Sequence, residues 1–237
     1  MQKTKRILWV AAALAAVLAV AVAGCKQDDE DDWTPLTIRN AVLEKYAGER
    51  TTVTVPDGVT GIGSKAFSGT AVTAVVIPSG VRSIAPDAFD DSKVTSISFI
   101  GSQKEWNELA GGELAESLRD AGRTVSCFII DGKGTLTGYE GNETAVVIPA
   151  GYVKGIDEGV FQNCAVHAEI TGVTIPGSVK SIGVNAFAGC TALAEVQIEA
   201  GVAYIGDGAF ARCTALTSLV ITAVVSDLVG VIFTGCT

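Results

Sequence analysis

The sequence predicts a solenoid: a curved right-handed superhelix of mostly short parallel strands, joined by loops and short helical turns. Three observations predict it. Residues 179–196, VKSIGVNAFAGCTALAEV, are followed at once by a near copy, residues 202–219, VAYIGDGAFARCTALTSL. Phenylalanine recurs at Phe67, Phe89, Phe161, Phe187, Phe210 and Phe233, spaced by 22 residues in a first run and by 26, 23 and 23 in a second. An apolar residue stands five positions ahead of each ring: Ile62, Ile84, Ile156, Ile182, Ile205 and Leu228. A fixed apolar skeleton at this period marks stacked coils, none of which can bury its own apolar face alone.

Each coil opens with a strand. Leu193-x-x-Val196-x-Ile198 and Leu216-x-x-Leu219-x-Ile221 are similar to the L-x-x-L-x-L core of leucine-rich repeats. Residues two apart share one strand face, so Val196 and Ile198 point inward together. Pro56, Pro78, Pro149 and Pro176 follow four such strands, where a missing N–H suits an exit turn. The Ile-Gly-x-x-Ala-Phe segment then turns the chain on the far side. Ser64 and Asp207, three residues before their Phe, are read as caps of short helical turns there.

The skeleton is carried most fully by Ile175-Pro176, Val179, Ile182, Ala186-Phe187 and Gly189-Cys190. It resembles the BspA-like (treponemal-type) leucine-rich repeat surface lipoproteins, over residues 36–100 and 128–237. The resemblance implies a secreted or surface-anchored protein of an adhesive or protein-binding class. It does not identify the partner.

The chain begins with another signal. Lys3, Lys5 and Arg6 precede the apolar run Ile7 to Ala23, the pattern of a secretory signal peptide over residues 1–24. Val22-Ala23-Gly24-Cys25 resembles a bacterial lipobox, so Cys25 is the expected lipidation site. Acyl chains on Cys25 would anchor the chain to a membrane at ~0.8 kcal/mol per buried methylene. Residues 25–35 then form an acidic tether, since Asp28 to Asp32 are five consecutive acids that repel one another. Their spacing lacks the alternation and glycine of a calcium loop. Beyond residue 24 the chain holds all 26 acids but 14 of the 17 Lys and Arg, a formal net charge of −12. That balance excludes nucleic acid as a partner, because phosphates need a basic stripe.

Residues 101–127 break the period. Gln103–Leu109 and Glu113–Leu118 read as amphipathic, and Gly111-Gly112 between them predicts two short helices at a joint or cap holding Trp106. An entry unit precedes each run of coils. Leu36-Thr37-Ile38 and Tyr46-Ala47-Gly48 reappear as Phe128-Ile129-Ile130 and Tyr139-Glu140-Gly141, each Tyr ten residues before a Pro. Two tandem modules, 36–100 and 128–237, each opened by a hairpin, are therefore expected to pack end to end; one continuous array with an inserted loop is the alternative. The last coil is apolar over Leu228–Ile232, where its siblings are polar, and no polar closing unit follows. Either self-association or another contact at this coil, or a shortened gene product, is the expectation.

No catalytic or metal constellation emerges. The lone histidine, His167, would have to serve any Ser-His-Asp or Cys-His mechanism, and reads as a loop residue. Cys164-x-x-His167 supplies half of a zinc site and nothing nearby completes it. Cys164, Cys190, Cys213 and Cys236 share one repeat position, read as a ladder of buried thiols. Gly132-Lys133-Gly134 misses the dinucleotide spacing. No cofactor is implied.

Binding is expected on the strand face, through outward residues between the buried ones. These are Thr52 and Thr54, Ala74 and Val76, and Ser96 and Ser98 in the first module. In the second they are Ala145 and Val147, Gly172 and Thr174, Glu195 and Gln197, and Ser218 and Val220. The polar candidates are thus Thr52, Thr54, Ser96, Ser98, Thr174, Glu195, Gln197 and Ser218. The expected protein is non-enzymatic and lipid-anchored in the bacterial envelope, at the outer membrane and exposed, and it binds protein. A structural spacer without a ligand is the alternative; a hydrolase is the remote one.

Overall fold

The computed structural model describes residues 35–222, 225–228 and 230–236. The apolar leader, Cys25 and the acidic run lie outside the described residues, as do Ala223, Val224 and Val229 of the last coil. No helix among the described residues is long and apolar enough to cross a membrane.

The chain is a β-solenoid. A hairpin of β1 (Leu36–Arg39) and β2 (Val42–Tyr46) opens it, followed by β3 (Thr52–Thr54), β4 (Gly61–Ile62), β5 (Ala74–Ile77), β6 (Ser83–Ile84) and β7 (Ser96–Ile100). Helix α1 (Gln103–Asp120) comes next, then a second hairpin of β8 (Thr124–Ile130) and β9 (Thr135–Glu140). The remaining strands are β10 (Ala145–Val147), β11 (Gly155–Ile156), β12 (Gly172–Ile175), β13 (Ser181–Ile182), β14 (Glu195–Ile198), β15 (Tyr204–Ile205), β16 (Ser218–Ile221) and β17 (Asp227–Leu228). Each coil contributes one front strand and one two-residue back strand, and equivalent strands of successive coils pair in parallel.

The repeated apolar positions are what stack. Ile156 pairs with Ile182, Ile182 with Ile205 and Ile205 with Leu228 along the back. The Phe rings lie one above another: Phe67 on Phe89 at 5.4 Å, Phe161 on Phe187 at 4.6 Å, and Phe187 on Phe210 at 5.2 Å, all near parallel. Each ladder is headed by the hairpin's tyrosine, Tyr46 against Phe67 and Tyr139 against Phe161. That explains why a Tyr sits at the same place in both entry units. Glycine two residues later makes room for it. A Cβ on Gly141 would meet both the Tyr139 hydroxyl and Ser126 Oγ at 2.5 Å, and one on Gly48 would meet the Tyr46 hydroxyl. Threonines tie coil to coil outside the core: Thr73 Oγ1 donates to the Thr51 carbonyl, Thr95 to Thr73, and Thr171 to Thr144.

The far side departs from expectation. Its segments are hydrogen-bonded turns, not helical turns. The residue two before the ring takes positive φ at Lys65 (52°), Gly159 (63°), Asn185 (53°) and Gly208 (62°), which stops a right-handed helix from propagating. Nor do Ser64 and Asp207 cap their own turns. The Ser64 hydroxyl donates to Asp87 Oδ2 at 2.7 Å, and Asp207 Oδ1 accepts from the Val231 N–H at 2.8 Å, each bridging to the next coil.

Helix α1 begins at a capping box of Ser102 and Glu105. Gly111 breaks it with φ 57° and ψ −171°, which divides α1 into two short helices meeting at a kink, as the Gly111-Gly112 pair predicts. It ends at Gly122 (φ 64°), where the Gly122 and Arg123 N–H groups donate back to the Arg119 and Leu118 carbonyls. Trp106, Ala110, Leu114 and Leu118 face inward over the last coil of the first array, with Trp106 5.4 Å from the Phe99 ring. Arg123 seals that coil by donating to the Phe89 and Val94 carbonyls.

The core divides within β8. Residues up to Cys127 pack in one apolar cluster, while Phe128 onward pack in another, joined by Val76 and Ile100 from the first array. Strand β8 pairs in parallel with β7 and antiparallel with β9, which in turn pairs with β11. One nine-stranded sheet thus joins the front strands of the first array to the back strands of the second. The front strands β10, β12, β14 and β16 form a separate four-stranded sheet.

Replacing a central ring should be costly: Phe187→Ala is expected to lower unfolding free energy by roughly 3–5 kcal/mol, as for other buried aromatics. Gly141→Ala should cost about 1–3 kcal/mol by displacing the Tyr139 hydroxyl from Ser126. Urea midpoints at unchanged m-value are the measurement. A shift indistinguishable from zero in either variant would refute the corresponding packing account.

Candidate functional site

The two strand faces differ in what covers them. In the four-stranded sheet, register sets Val147, Thr174, Gln197 and Val220 in one outward row, and Ala145, Gly172, Glu195 and Ser218 in the other. Glu195 and Gln197 are exposed, while Thr174 and Ser218 are half-buried. Val147 and Val220, at the two ends of the first row, are 59% and 50% exposed. The face is therefore open, with two aliphatic groups flanking amide and hydroxyl groups beside one carboxylate.

The first array's face is partly occupied by the second. Thr52 and Thr54 stay exposed, but Val76 is only 7% exposed and Ser126, its equivalent on β8 in the same row, is fully buried. Ser96 is not a free hydroxyl: it donates to Glu143 Oε1 at 2.7 Å, and Thr124 donates to the same oxygen at 2.7 Å. Ser98 is half-buried beside Val76. The Tyr152 hydroxyl lies 3.3 Å from the Val55 carbonyl and 3.2 Å from Asp57 Oδ1, just past β3. Burial and the Asp57 carboxylate push its pKa upward, so it stays a proton donor. The eight polar candidates thus fall on two different sheets. The second array contacts the first beside its front strands, where end-to-end stacking alone would leave them clear.

Glu143 and Tyr152 went unread in the sequence, although one signal was present. Pro149-Ala-Gly-Tyr152-Val carries one residue more than Pro56-Asp-Gly-Val59 or Pro78-Ser-Gly-Val81, and the extra residue is the tyrosine that reaches across.

The remaining chemistry is structural. His167 Nδ1 lies 3.1 Å from the Cys164 carbonyl and closes a turn. The Cys164, Cys213 and Cys236 thiols donate to the Phe161, Phe187 and Phe210 carbonyls. Burial pushes the Cys213 and Cys127 thiols up to about 12, far from a reactive thiolate. Among the described residues no His, Cys, Asp and Glu cluster could hold a metal ion.

If Glu143 and Tyr152 clamp the two arrays, Glu143→Ala and Tyr152→Phe should each cost about 1 kcal/mol, the net worth of a hydrogen bond. The double variant should speed amide exchange around Val55–Asp57 and Ser96. Unchanged exchange there would exclude the clamp.

Comparison with known proteins agrees with this architecture. The model for the BspA type leucine-rich repeat region matches six copies, over residues 37–110 and 139–237. No curated protein matches by sequence. Among solved structures, the T. pallidum leucine-rich repeat protein is 23% identical over 81% of this chain and 81% of its own, with a TM-score of 0.32. A leucine-rich cell surface protein from Faecalibacterium prausnitzii A2-165 is 18% identical, covering 79% and 74%, with a TM-score of 0.27. A leucine-rich repeat protein from Eubacterium ventriosum is also 18% identical, covering 82% and 69%, with a TM-score of 0.38. The family match spans most of the coils whose stacking is described above, and the chain belongs to the BspA-type leucine-rich repeat family.

Proposed function

We propose that this is a non-enzymatic, lipid-anchored protein of the bacterial envelope, exposed at the outer membrane, whose second array binds a protein through its open strand face. The observation that carries the reading is the contrast between the two faces: one holds Tyr152 and Glu143 in cis, the other leaves Val147, Thr174, Gln197 and Val220 uncovered. Aliphatic groups beside amides and hydroxyls suit a protein surface, and the acidic chain repels nucleic acid. Anchoring rests on the Val22–Cys25 lipobox and the apolar run before it. The alternative, an envelope spacer, would leave this face without an occupant.

Protease shaving of intact cells, with permeabilised cells as control, tests the location. Digestion of the intact-cell sample is expected; protection until permeabilisation would place the arrays in the periplasm and end the adhesive reading. A photo-crosslinking residue at Gln197 should then trap an adduct on cells, and one at Ser98 should not. Equal yields at the two positions would reject the open face as the binding surface.

An exposed apolar set supports a second contact. Leu228, Val231 and Phe233 are 58%, 66% and 39% exposed, and such a set favours association between copies. Sedimentation velocity should show concentration-dependent association that Leu228→Glu with Val231→Lys abolishes. A monomer at all concentrations would exclude it.

A further inference from the structure

A concavity lies away from the open strand face of the second array. A cleft of about 850 Å³ opens between α1, the β8–β9 hairpin and the Glu158–Ala165 turn of the second array. We propose that it binds a short linear peptide carrying an aliphatic anchor between one acidic and one basic residue. Ligand sites favour such joints between packed units, where an apolar floor meets a few polar groups.

The lining decides the ligand class. Val125 and Ile129 on β8, with Ala115 on α1, give it partly exposed aliphatic surface. Around them stand exposed polar groups: the Asn142 and Asn163 amides, which suit main-chain amides and carbonyls, and the Thr137 hydroxyl, which donates to the Ile129 carbonyl and can still accept. Besides Glu140, whose carboxylate accepts from the Gln103 N–H at 2.7 Å, two charges of opposite sign lie on different elements: Arg119 in the last turn of α1, and Glu158 on the second array, both exposed. A segment with an aliphatic side chain flanked by an acid and a base complements this arrangement.

Other ligand classes fit less well. Sugar recognition needs an accessible aromatic face, but Trp106 and Tyr139 are each 4% exposed, and the Tyr139 hydroxyl is held by Ser126. A phosphate needs converging cations, but the second guanidinium, Arg123, is committed to the Phe89 and Val94 carbonyls. The Glu158 and Glu140 carboxylates would repel it further. The cleft shares no residue with the open strand face, so the two surfaces are independent.

Selection from a phage-displayed library of random linear peptides against the immobilised full chain tests it, with a glycan array run in parallel. The expected result is a consensus with one aliphatic residue between opposite charges. Binding should fall at least tenfold in Thr137→Trp, which fills the cleft from an exposed strand position, and at least tenfold in Arg119→Glu. The double swap Arg119→Glu with Glu158→Lys should recover binding to peptides with the charges exchanged. Variants are first matched to the parent by thermal melting; if Thr137→Trp does not fold, the two charge variants on separate elements carry the test. Absence of any enriched peptide would overturn the proposal. So would peptides that bind all the variants equally, or a glycan whose retention is lost in Thr137→Trp.

Discussion

Everything in this molecule depends on one coil covering the next. A coil of about two dozen residues presents an apolar edge that only a copy of itself can bury. The rings at Phe67, Phe89, Phe161, Phe187 and Phe210 are almost wholly buried because each is sandwiched between neighbouring coils or a capping element. A stack of this kind cannot begin or end on a bare coil without exposing that edge. The start is solved twice by the same device. A hairpin lays its second strand on the first back strand, β2 on β4 and β9 on β11, and places a tyrosine at the head of the ring ladder. The hydroxyl of that tyrosine then needs a partner and space. Arg50 N–H or Ser126 Oγ supplies the partner, and a glycine two residues on leaves the space.

The end of the first stack is solved differently. Helix α1 closes the back with Trp106, Ala110, Leu114 and Leu118, while β8 continues the front as one more parallel strand. Because β8 serves the first core through Cys127 and the second from Phe128, the start of the second array is the closure of the first. This economy has a functional consequence. Turning from β8 into β9 puts the second array's back strands, not its front strands, in line with the first array's front sheet. The two front faces are therefore separate surfaces with different neighbours, and the cleft beside α1 is a by-product of the same turn.

The repeat itself was legible in the sequence. The Phe spacing, the Ile five residues ahead, the prolines after strands and the duplicated entry unit all depend on local periodicity, and periodicity survives in one dimension. Trp106 was readable as a capping residue for the same reason: a buried aromatic at a break in the period has little else to do. The turn geometry has a local marker as well. Gly or Asn two residues before the ring, at Gly159, Asn185 and Gly208, signals positive φ, and positive φ ends a helix before it starts. Ser64 and Asp207 would cap their own turns in an isolated coil, but in a stack each bonds to a group of the next coil.

The sequence by itself determined the unit, its period and its stacking partners, because each coil meets a near copy of itself and the pairing rule is the same throughout. The tertiary structure alone decided which surfaces are left open. That choice rests on contacts between residues far apart in the chain, Tyr152 with Val55 and Glu143 with Ser96, which arise only after β8 has set the angle between two arrays. Outward strand positions look alike in sequence whether solvent or another module faces them. Val76 and Val147 occupy equivalent outward positions, yet one is 7% and the other 59% exposed, a difference that neither residue's local sequence contains.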